Sequence, residues 1–321
     1  MEAHQTACIQ VRELSKTYYR HTGGLLKRTS EEVKALTDVS FSVAAGEMIG
    51  LIGPNGAGKS TTVKLLTGVL TPSSGSCVID GLVPWVDRTK HVSRLGTVFG
   101  QRTQLWWDVP ILDSYRLLRD IYQVDRAAWQ KRLDELIRAL DLQTLLAVPL
   151  RQLSLGQRMR AELCGALLHS PSLLFLDEPT IGLDATSKLR LRSYLLEENR
   201  QHGTTVFLTT HDMEDMLSLC KRVLVMGHGR LLYDGALDEL LRRYESSQTL
   251  RCLYEQPVCL EGFPEQVHVE RDGDTWQITF VPDKLAAVLT KVTGAGNLRE
   301  LSLKEENVDR LIARMYEEMN L

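Results

Sequence analysis

The feature that most constrains this chain is a glycine-rich segment between a short apolar run, 48–52, and a run with helical spacing. The segment reads Gly53-Pro54-Asn55-Gly56-Ala57-Gly58-Lys59-Ser60-Thr61. It matches the pattern G-x-x-x-x-G-K-[ST], in which backbone N–H groups surround phosphate oxygens at the start of a helix. The sequence therefore predicts a strand–loop–helix unit that binds phosphate groups.

The residues of this segment have distinct roles toward a phosphate chain. Glycines let the backbone curl tightly enough to point several N–H groups inward. Lys59 is placed to reach the β and γ phosphates, the Ser60 hydroxyl to bind Mg²⁺, and Thr61 to contact the α phosphate. A chance match in a chain of this length has a probability of about 1%, and the flanking strand and helix lower it further. We therefore expect a nucleotide site that uses Mg²⁺.

A second candidate site follows another apolar run, where 173–176 is followed by Asp177 and Glu178. In an open α/β sheet, ligands bind at the carboxyl ends of the strands. Asp177 is suited to the outer coordination shell of Mg²⁺. Glu178 is suited to hold and deprotonate a water that attacks the γ phosphate. A solvated acidic turn would give the same letters, but the phosphate-binding segment favours the functional interpretation.

Hydrophobic periodicity organises the rest of the chain. Strand-like and helical runs alternate through a first domain of 1–245, which predicts an α/β fold with a mostly parallel sheet. Helical spacing over about 102–168 predicts a helical subdomain. The polar stretch 20–32 is either a surface loop or a hairpin insertion. Residues 246–321 mix alternating and helical runs, which predicts a small α+β extension.

Composition excludes several classes of protein. The net charge of −3 argues against general nucleic-acid binding, so no nucleic-acid partner is expected. No run reaches the ~18 apolar residues of a membrane span, and no secretory signal is visible. A role at a membrane would therefore need a membrane-embedded partner. The six cysteines form no C-x-x-C pair, which predicts reduced thiols and no metal site.

Further markers occur in a fixed order around these two sites. They are Tyr18, Gln101, the segment Leu153-Ser154-Leu155-Gly156-Gln157, the segment Gly182-Leu183-Asp184, and the segment Thr210-His211-Asp212. Over about residues 5–245 this set resembles the ABC ATPase family, with Leu155 in place of the first glycine of the LSGGQ signature. The resemblance implies a P-loop NTPase core that carries an antiparallel β subdomain and a helical subdomain, and it implies ATP as the nucleotide.

The resemblance also implies a role for each isolated marker. Gln101 resembles the Q-loop glutamine, which serves catalysis and Mg²⁺ binding. Asp184 resembles the D-loop aspartate and His211 the switch histidine, both of which serve catalysis. Tyr18 resembles the aromatic residue that stacks on adenine, and the adjacent Tyr19 is the alternative.

The signature segment resembles a helix N-terminus that offers hydrogen-bond donors to a γ phosphate. In the family this phosphate is held by an opposing chain, so Ser154 and Gly156 would serve the partner's nucleotide. The resemblance therefore implies a head-to-tail pair, either a homodimer or a heterodimer. ATP would hold the two chains together and hydrolysis would release them.

The segment 99–110 narrows the resemblance. Gly100 precedes Gln101 where family members usually carry proline, and Trp106 and Trp107 follow. With the N-terminal insertion and the C-terminal extension, this pattern resembles ABC-2-type exporter ATPases, whose permeases are separate chains. It implies export from a peripheral position at the cytoplasmic face of the inner membrane; an importer ATPase and a non-transport ABC ATPase are the alternatives. The tryptophans either anchor the permease or pack on the helical subdomain.

Overall fold

The computed structural model describes residues 7–22, 29–99, 103–210, 212–244, 248–256, 258–260, 262–263, 267–304 and 315–318. Two predicted site residues, Gln101 and His211, lie outside these ranges. The chain divides into two compact units, 1–237 and 238–321. This division falls earlier than the boundary at 245 that the sequence suggested.

The first unit alternates strands and helices. Its strands are β1 (Ala7–Thr22), β2 (Thr29–Ala44), β3 (Met48–Ile52), β4 (Ser74–Ile79), β5 (Leu95–Phe99), β6 (Leu173–Asp177), β7 (Thr205–Thr209), β8 (Arg222–Gly227) and β9 (Arg230–Ala236). Its helices are α1 (Lys59–Leu66), α2 (Arg88–Val92), α3 (Ile111–Ile121), α4 (Arg126–Ala139), α5 (Leu155–Leu167), α6 (Ala185–His202) and α7 (Met213–Leu219). Helix α8 (Leu237–Tyr244) begins where the two units meet.

Six strands form the main sheet in the order β5-β6-β7-β3-β8-β9. The first five run parallel, and β9 pairs antiparallel with β8 at the edge. Strand β7 is buried along its whole length, and β6 and β8 are buried at all but one position. Burial on both faces explains why these strands are continuous apolar runs rather than alternating ones. The predicted parallel sheet is confirmed.

A second, antiparallel sheet has the order β2-β1-β4 and forms the β subdomain. Strands β1 and β2 stay paired as far as Thr22 and Thr29, so the described residues of this stretch, 20–22 and 29–32, lie in the paired strands of a hairpin. One hydrophobic core joins this sheet to the main sheet, because Ile9 and Val43 share a buried cluster with Phe207. The core therefore fixes the base of the hairpin beside β3 and the loop that follows β3.

Helices α3, α4 and α5 lie within the range that the sequence assigned to a helical subdomain. Helix α3 buries Ile111, Tyr115 and Leu118, which lie on one face by their spacing of four and three residues. The Tyr115 hydroxyl donates to the carbonyl of Ala161 in α5 at 3.0 Å, so α3 is fixed against α5. Among the described residues, no helix is long and apolar enough to cross a bilayer.

The described part of the second unit contains an antiparallel sheet and a helix that packs against it. Its strands are β10 (Gln248–Tyr254), β11 (Val267–Asp272), β12 (Thr275–Phe280) and β13 (Leu298–Lys304), and its further helix is α9 (Leu285–Gly294). The strand order is β11-β12-β10-β13. Leu250, Ile278 and Val288 belong to a separate buried cluster, so this α+β unit has its own core. The last helical run of the sequence, 305–319, predicts a helix that lies mostly outside the described residues. Of this run the structure describes 315–318.

Candidate functional site

The glycine-rich loop connects the buried end of β3 to α1, as predicted. Gly58 is the N-cap of α1 and has a φ of 105°. A Cβ atom at this position would lie 2.6 Å from Leu36 Cδ2 and 2.9 Å from the Ala35 carbonyl oxygen. Only glycine fits both the left-handed backbone and this close approach, so the hairpin base and the loop are packed against each other.

Lys59 is buried at the start of α1, and its Nζ donates to the carbonyl oxygens of Gly53 at 2.7 Å and Pro54 at 3.1 Å. Burial lowers the pKa of Lys59, and the charges of Glu178 and Asp177 work in the opposite direction. The ammonium therefore lies close enough to both carboxylates to feel their charge. This arrangement places the predicted phosphate-binding cation beside the predicted acidic site.

An open cleft of about 190 Å³ brings most of the predicted nucleotide residues together. Its lining residues are Ala35, Asn55, Gly56, Gly58, Lys59, Ser60, Thr61 and Glu178. The cleft thus combines backbone donors of the loop, a hydroxyl, an ammonium and one carboxylate. This donor set suits a phosphate chain at one side and a hydrolytic water at the other.

Strands β5, β6 and β7 end in register at the same edge of the sheet. Phe99 pairs with Asp177, and Asp177 pairs with Thr209. The Thr209 hydroxyl donates to Asp177, and the Glu178 N–H donates to the Thr209 carbonyl at 2.9 Å. Positions 101 and 211 each follow one of these strand ends by two residues. The edge therefore collects three chain segments, which the sequence analysis assigned to the Q-loop glutamine, the acidic pair and the switch histidine.

Glu178 has a left-handed backbone with a φ of 52°. This conformation costs a non-glycine residue about 1–2 kcal/mol. Such strain persists only where neighbouring contacts impose it, and functional sites are common locations for it. Here the hydrogen bond to Thr209 holds the backbone, and the side chain lines the cleft instead of continuing along β6.

The signature segment forms the start of α5. Ser154 is the N-cap: its Oγ accepts from Gln157 N at 3.3 Å, and Gln157 Oε1 accepts from Ser154 N at 2.9 Å. This reciprocal capping box fixes the helix start and leaves the Ser154 hydroxyl proton available to a ligand. Leu153 ends the preceding 3-10 turn in an extended conformation, so it directs the chain into the cap.

The D-loop segment lies directly against the signature. Gly182 has a φ of 70°, and a Cβ atom there would lie 2.4 Å from Leu155 Cδ2. Asp184 caps α6 by accepting from Ser187 N at 2.8 Å and from Ser187 Oγ at 3.0 Å, and these bonds lower the pKa of Asp184. Signature and D-loop therefore form one surface. Among the described residues that line the cleft, none belongs to this surface.

Tyr18 and Tyr19 are adjacent in β1, so their side chains point to opposite faces of the hairpin. Tyr18 pairs with Val33 and Tyr19 with Glu32. Tyr18 is 38% exposed and Tyr19 66%. Two residues beyond Val33 along β2, Ala35 lines the cleft. The ring of Tyr18 is therefore the better placed of the two for an adenine that extends from the phosphate site.

We expect Tyr18→Ala to weaken ATP binding about tenfold, because one stacked base contributes ~1–3 kcal/mol. Tyr19→Ala is the matched control and should change the dissociation constant for ATP less than about twofold. Titration calorimetry on the two variants measures both values. A larger loss for Tyr19→Ala than for Tyr18→Ala would reverse the assignment.

A buried acid beside the signature was missed by the sequence analysis. Glu162 of α5 is buried; Thr103 donates its hydroxyl to one carboxylate oxygen, and Gln104 N donates to the other at 3.1 Å. Burial raises the pKa of Glu162, although these bonds oppose the effect. Glu162 therefore ties the segment after position 102 to the signature helix. The available signal was a charged residue within the mainly apolar run 161–168.

The residues present fit Mg²⁺. A hard divalent cation prefers oxygen ligands, and the cleft offers the Ser60 hydroxyl beside the end of β6. The Asp177 carboxylate has one oxygen fixed by Thr209 and lies close enough to Lys59 to influence its charge. Ser60 and Asp177 are the described residues that would hold the ion. When bound, Mg²⁺ neutralises charge on the phosphate oxygens.

Comparison with known proteins identifies the family. A family model for "ABC transporter" matches residues 36–181. The ABC transporter ATP-binding protein NatA of Bacillus subtilis is 31% identical over 217 residues, which cover 68% of this chain and 87% of NatA. The methionine import ATP-binding protein MetN 2 of Enterococcus faecalis is 30% identical over 254 residues, 78% of this chain and 71% of that protein.

Solved structures agree with the sequence comparison. The dimeric post-hydrolysis structure of the ATP-binding cassette MJ0796 with ADP and Pi superimposes with a TM-score of 0.62 at 25% identity. The match covers 71% of this chain and 98% of that cassette. With the P-loop, the acidic strand end and the capped signature helix in place, the chain belongs to the ABC transporter ATP-binding family and is an ATP-hydrolysing subunit.

Proposed function

We propose that this subunit works as one of two opposed chains, each of which completes the other's nucleotide site. The observation that carries this proposal is the separation of two donor groups within one chain. The glycine-rich loop and Glu178 share a cleft, whereas Ser154 and Leu155 lie on the surface formed with the D-loop. A capped helix N-terminus that does not serve its own cleft is suited to a phosphate held by another chain. The dimeric MJ0796 cassette supports the same arrangement.

Within such a pair, the chemistry follows from the cleft. Loop N–H groups and Lys59 hold the phosphate chain, and the fixed position of Glu178 lets its carboxylate accept the proton of a water in line with the γ phosphate. The partner's signature serine and helix dipole stabilise the γ phosphate from the opposite side. Gln101 and His211 are proposed to complete this site, and Asp184 to contact it from the partner. Loss of the γ phosphate removes the shared ligand and separates the chains.

We propose that the pair drives separate membrane-embedded permease subunits at the cytoplasmic face of the membrane, in the direction of export. The pattern of 99–110, in which Gly100 stands for the usual proline and two tryptophans follow, supports the ABC-2-type exporter subgroup. Import is the alternative, because one relative carries that function in its name. Coupling requires a surface that contacts the permease and is also tied to the nucleotide site.

Trp106 and Trp107 are suited to both requirements. Their side chains are 40% and 48% exposed. Trp106 N donates to Ser114 Oγ in α3 at 3.1 Å, and the Arg158 guanidinium of α5 lies 5.2 Å from the Trp107 ring centroid. Trp106 is therefore tied to the helical subdomain through its backbone and Trp107 through its ring, and each leaves part of a large aromatic surface exposed. Such aromatic residues are typical anchors of protein interfaces.

The test is affinity purification of the chain in mild detergent from its native membranes. We expect membrane-spanning subunits to co-purify and to stimulate ATP hydrolysis without a solute-binding protein. The double variant Trp106→Ala/Trp107→Ala should lose this stimulation, because two interface aromatics contribute about 2 kcal/mol or more each. Its dissociation constant for ATP should stay unchanged.

Tyr19 is another exposed aromatic residue and is distant in sequence from the two tryptophans, so Tyr19→Ala controls for a general loss of aromatic surface. Equal stimulation of the wild type and the tryptophan double variant would contradict the coupling role. Hydrolysis that depends on a separate solute-binding protein would support import instead of export.

A further inference from the structure

A buried charge cluster centres on Asp215 of α7. Asp215 has no exposed surface, and Arg192 of α6 is 7% exposed. Arg192 Nε donates to Asp215 Oδ1 at 2.5 Å. A carboxylate removed from water is strongly destabilising unless charge and hydrogen bonds compensate it, so this position is tightly constrained.

The second oxygen of Asp215 reaches the two loops that follow β6 and β7. Thr180 donates its hydroxyl to Asp215 Oδ2, and Thr210 Oγ1 lies 3.3 Å from the same oxygen. Thr180 follows Glu178 by two residues, and Thr210 precedes position 211 by one. A single carboxylate oxygen therefore connects the segment of the proposed general base with the segment of the predicted switch histidine.

The arginine of the cluster extends the connection to α6. Arg192 also lies 3.4 Å from Asp212 and 3.2 Å from Glu214, and Lys188 forms an ion pair with Asp212. Burial disfavours the Asp212 charge, but the bond and charge of Lys188, the Asp215 N–H bond and the charge of Arg192 together lower the pKa of Asp212. Helix α6 begins directly after Asp184 of the D-loop. The cluster therefore joins the segments of the general base, the switch histidine and the D-loop.

The position of Glu178 depends on the loop that Thr180 holds. Glu178 is strained at a φ of 52°, and its N–H is bonded to the strand end. Beyond it, Ile181 N donates to the Glu178 carbonyl at 3.3 Å and Leu183 N to the Thr180 carbonyl at 3.1 Å. These bonds form a tight turn whose buried anchor is the Thr180 side chain. Small displacements of a reacting group cost large factors in rate.

We propose that Asp215 is a positioning residue for ATP hydrolysis: through Thr180 it holds the Glu178 loop in its productive position and ties this loop to α6 and the D-loop. The proposal rests on the proposed role of Glu178 as the general base. It predicts that loss of the Thr180 bond lowers the rate of the chemical step more than it lowers the affinity for ATP or the stability of the fold.

The same unit contains a second buried cluster of arginine, carboxylate and threonine, and none of its described members lines the cleft. Arg132 Nη2 donates to the buried Glu198 at 2.5 Å, and Thr204 Oγ1 lies 3.4 Å from the same carboxylate. Thr204 is buried and precedes β7, at the end opposite to Thr209. Thr180→Val and Thr204→Val therefore each remove one hydroxyl from a buried, arginine-paired carboxylate at constant side-chain shape.

The experiment measures steady-state ATP hydrolysis, ATP binding and thermal unfolding of the full-length chain in four forms: wild type, Thr180→Val, Thr180→Ser and Thr204→Val. We expect Thr180→Val to lower kcat at least about tenfold while KM and the dissociation constant for ATP change less than about twofold. Thr180→Ser restores the hydroxyl and should restore kcat. Thr204→Val should lower the unfolding temperature as Thr180→Val does and leave kcat within about twofold of the wild type.

Equal kcat values for Thr180→Val and Thr204→Val would overturn the proposal, as would a Thr180→Val defect that appears only in KM. The variant Glu178→Gln distinguishes a failure of the general-base role from a failure of the positioning role. If Glu178→Gln hydrolyses ATP at the wild-type rate, the general-base assignment fails and the positioning role fails with it. If Glu178→Gln is inactive and Thr180→Val is fully active, only the positioning role fails.

Discussion

Glu178→Gln is expected to lower kcat for ATP hydrolysis by about 10²- to 10⁴-fold, the range that a general base contributes. Glutamine keeps the shape of the side chain that lines the cleft, but it does not accept a proton from the attacking water. The affinity for ATP should remain, because Lys59 and the loop N–H groups are unchanged. Phosphate-release kinetics measure the rate, and light scattering with ATP and Mg²⁺ measures the association of chains.

In this variant the nucleotide persists, so the paired state should accumulate instead of dissociating. Glu197→Gln is the control: Glu197 is an exposed carboxylate of α6 that pairs with Arg200 and does not line the cleft. It should hydrolyse ATP at the wild-type rate and show no trapped pair. A Glu178→Gln chain that turns over at the parental rate would remove Glu178 from the role of general base.

The second large effect concerns the site shared between chains. Lys59→Ala should abolish phosphate binding, and Ser154→Asp should block the partner's γ phosphate by charge repulsion. Aspartate caps a helix as well as serine does, so Ser154→Asp keeps α5 intact and changes mainly the charge. Neutral Ser154→Asn is the matched control for the cap. Lys59→Ala alone and Ser154→Asp alone should each lose nearly all ATP hydrolysis.

Mixing the two inactive variants should restore activity. In a head-to-tail pair, the intact glycine-rich loop of the Ser154→Asp chain faces the intact signature of the Lys59→Ala chain. The two defects then fall together in the other site. Because neither variant should pair with itself, the pairs that form are mixed and carry one intact site in two, so at most about half of the wild-type rate is expected.

Differently tagged chains provide a second readout for this experiment. ATP should allow the two variants to co-purify with each other, while neither variant forms pairs alone. No recovery of hydrolysis and no ATP-dependent co-purification on mixing would contradict a site built from two chains. Recovery confined to the mixture would exclude a site completed within one chain.

Local sequence was sufficient to predict the elements that border the cleft. The run 48–52, the glycine-rich loop and the run 173–176 each carry their own pattern, because a buried parallel strand must be apolar and a phosphate loop must contain glycine. The confirmed fold class follows from the alternation of such elements. The roles of Gln101 and His211 stay predictions, since both residues lie outside the described ranges.

Where pairing decided the structure, the sequence was less informative. Strand β13 was not predicted, because Arg299, Glu300 and Ser302 give it no clear apolar alternation. It forms by antiparallel pairing with β10 at the edge of the sheet, and an edge strand has less need of apolar residues. The stretch 20–32 was left between two interpretations for the same reason, since the pairing of its described residues, 20–22 with 29–31, is a contact between two strands that no local pattern encodes.

The sequence by itself determined that this chain has a phosphate loop, an acidic strand end and a signature helix, because each of these depends on neighbours within a few residues. Tertiary structure alone decided which buried charges meet, such as Arg192 with Asp215 and Arg132 with Glu198. The stability of a buried ion depends on the distance to a counter-charge from a distant part of the chain. No local pattern encodes that distance, so the links between the catalytic loops became visible only in the folded chain.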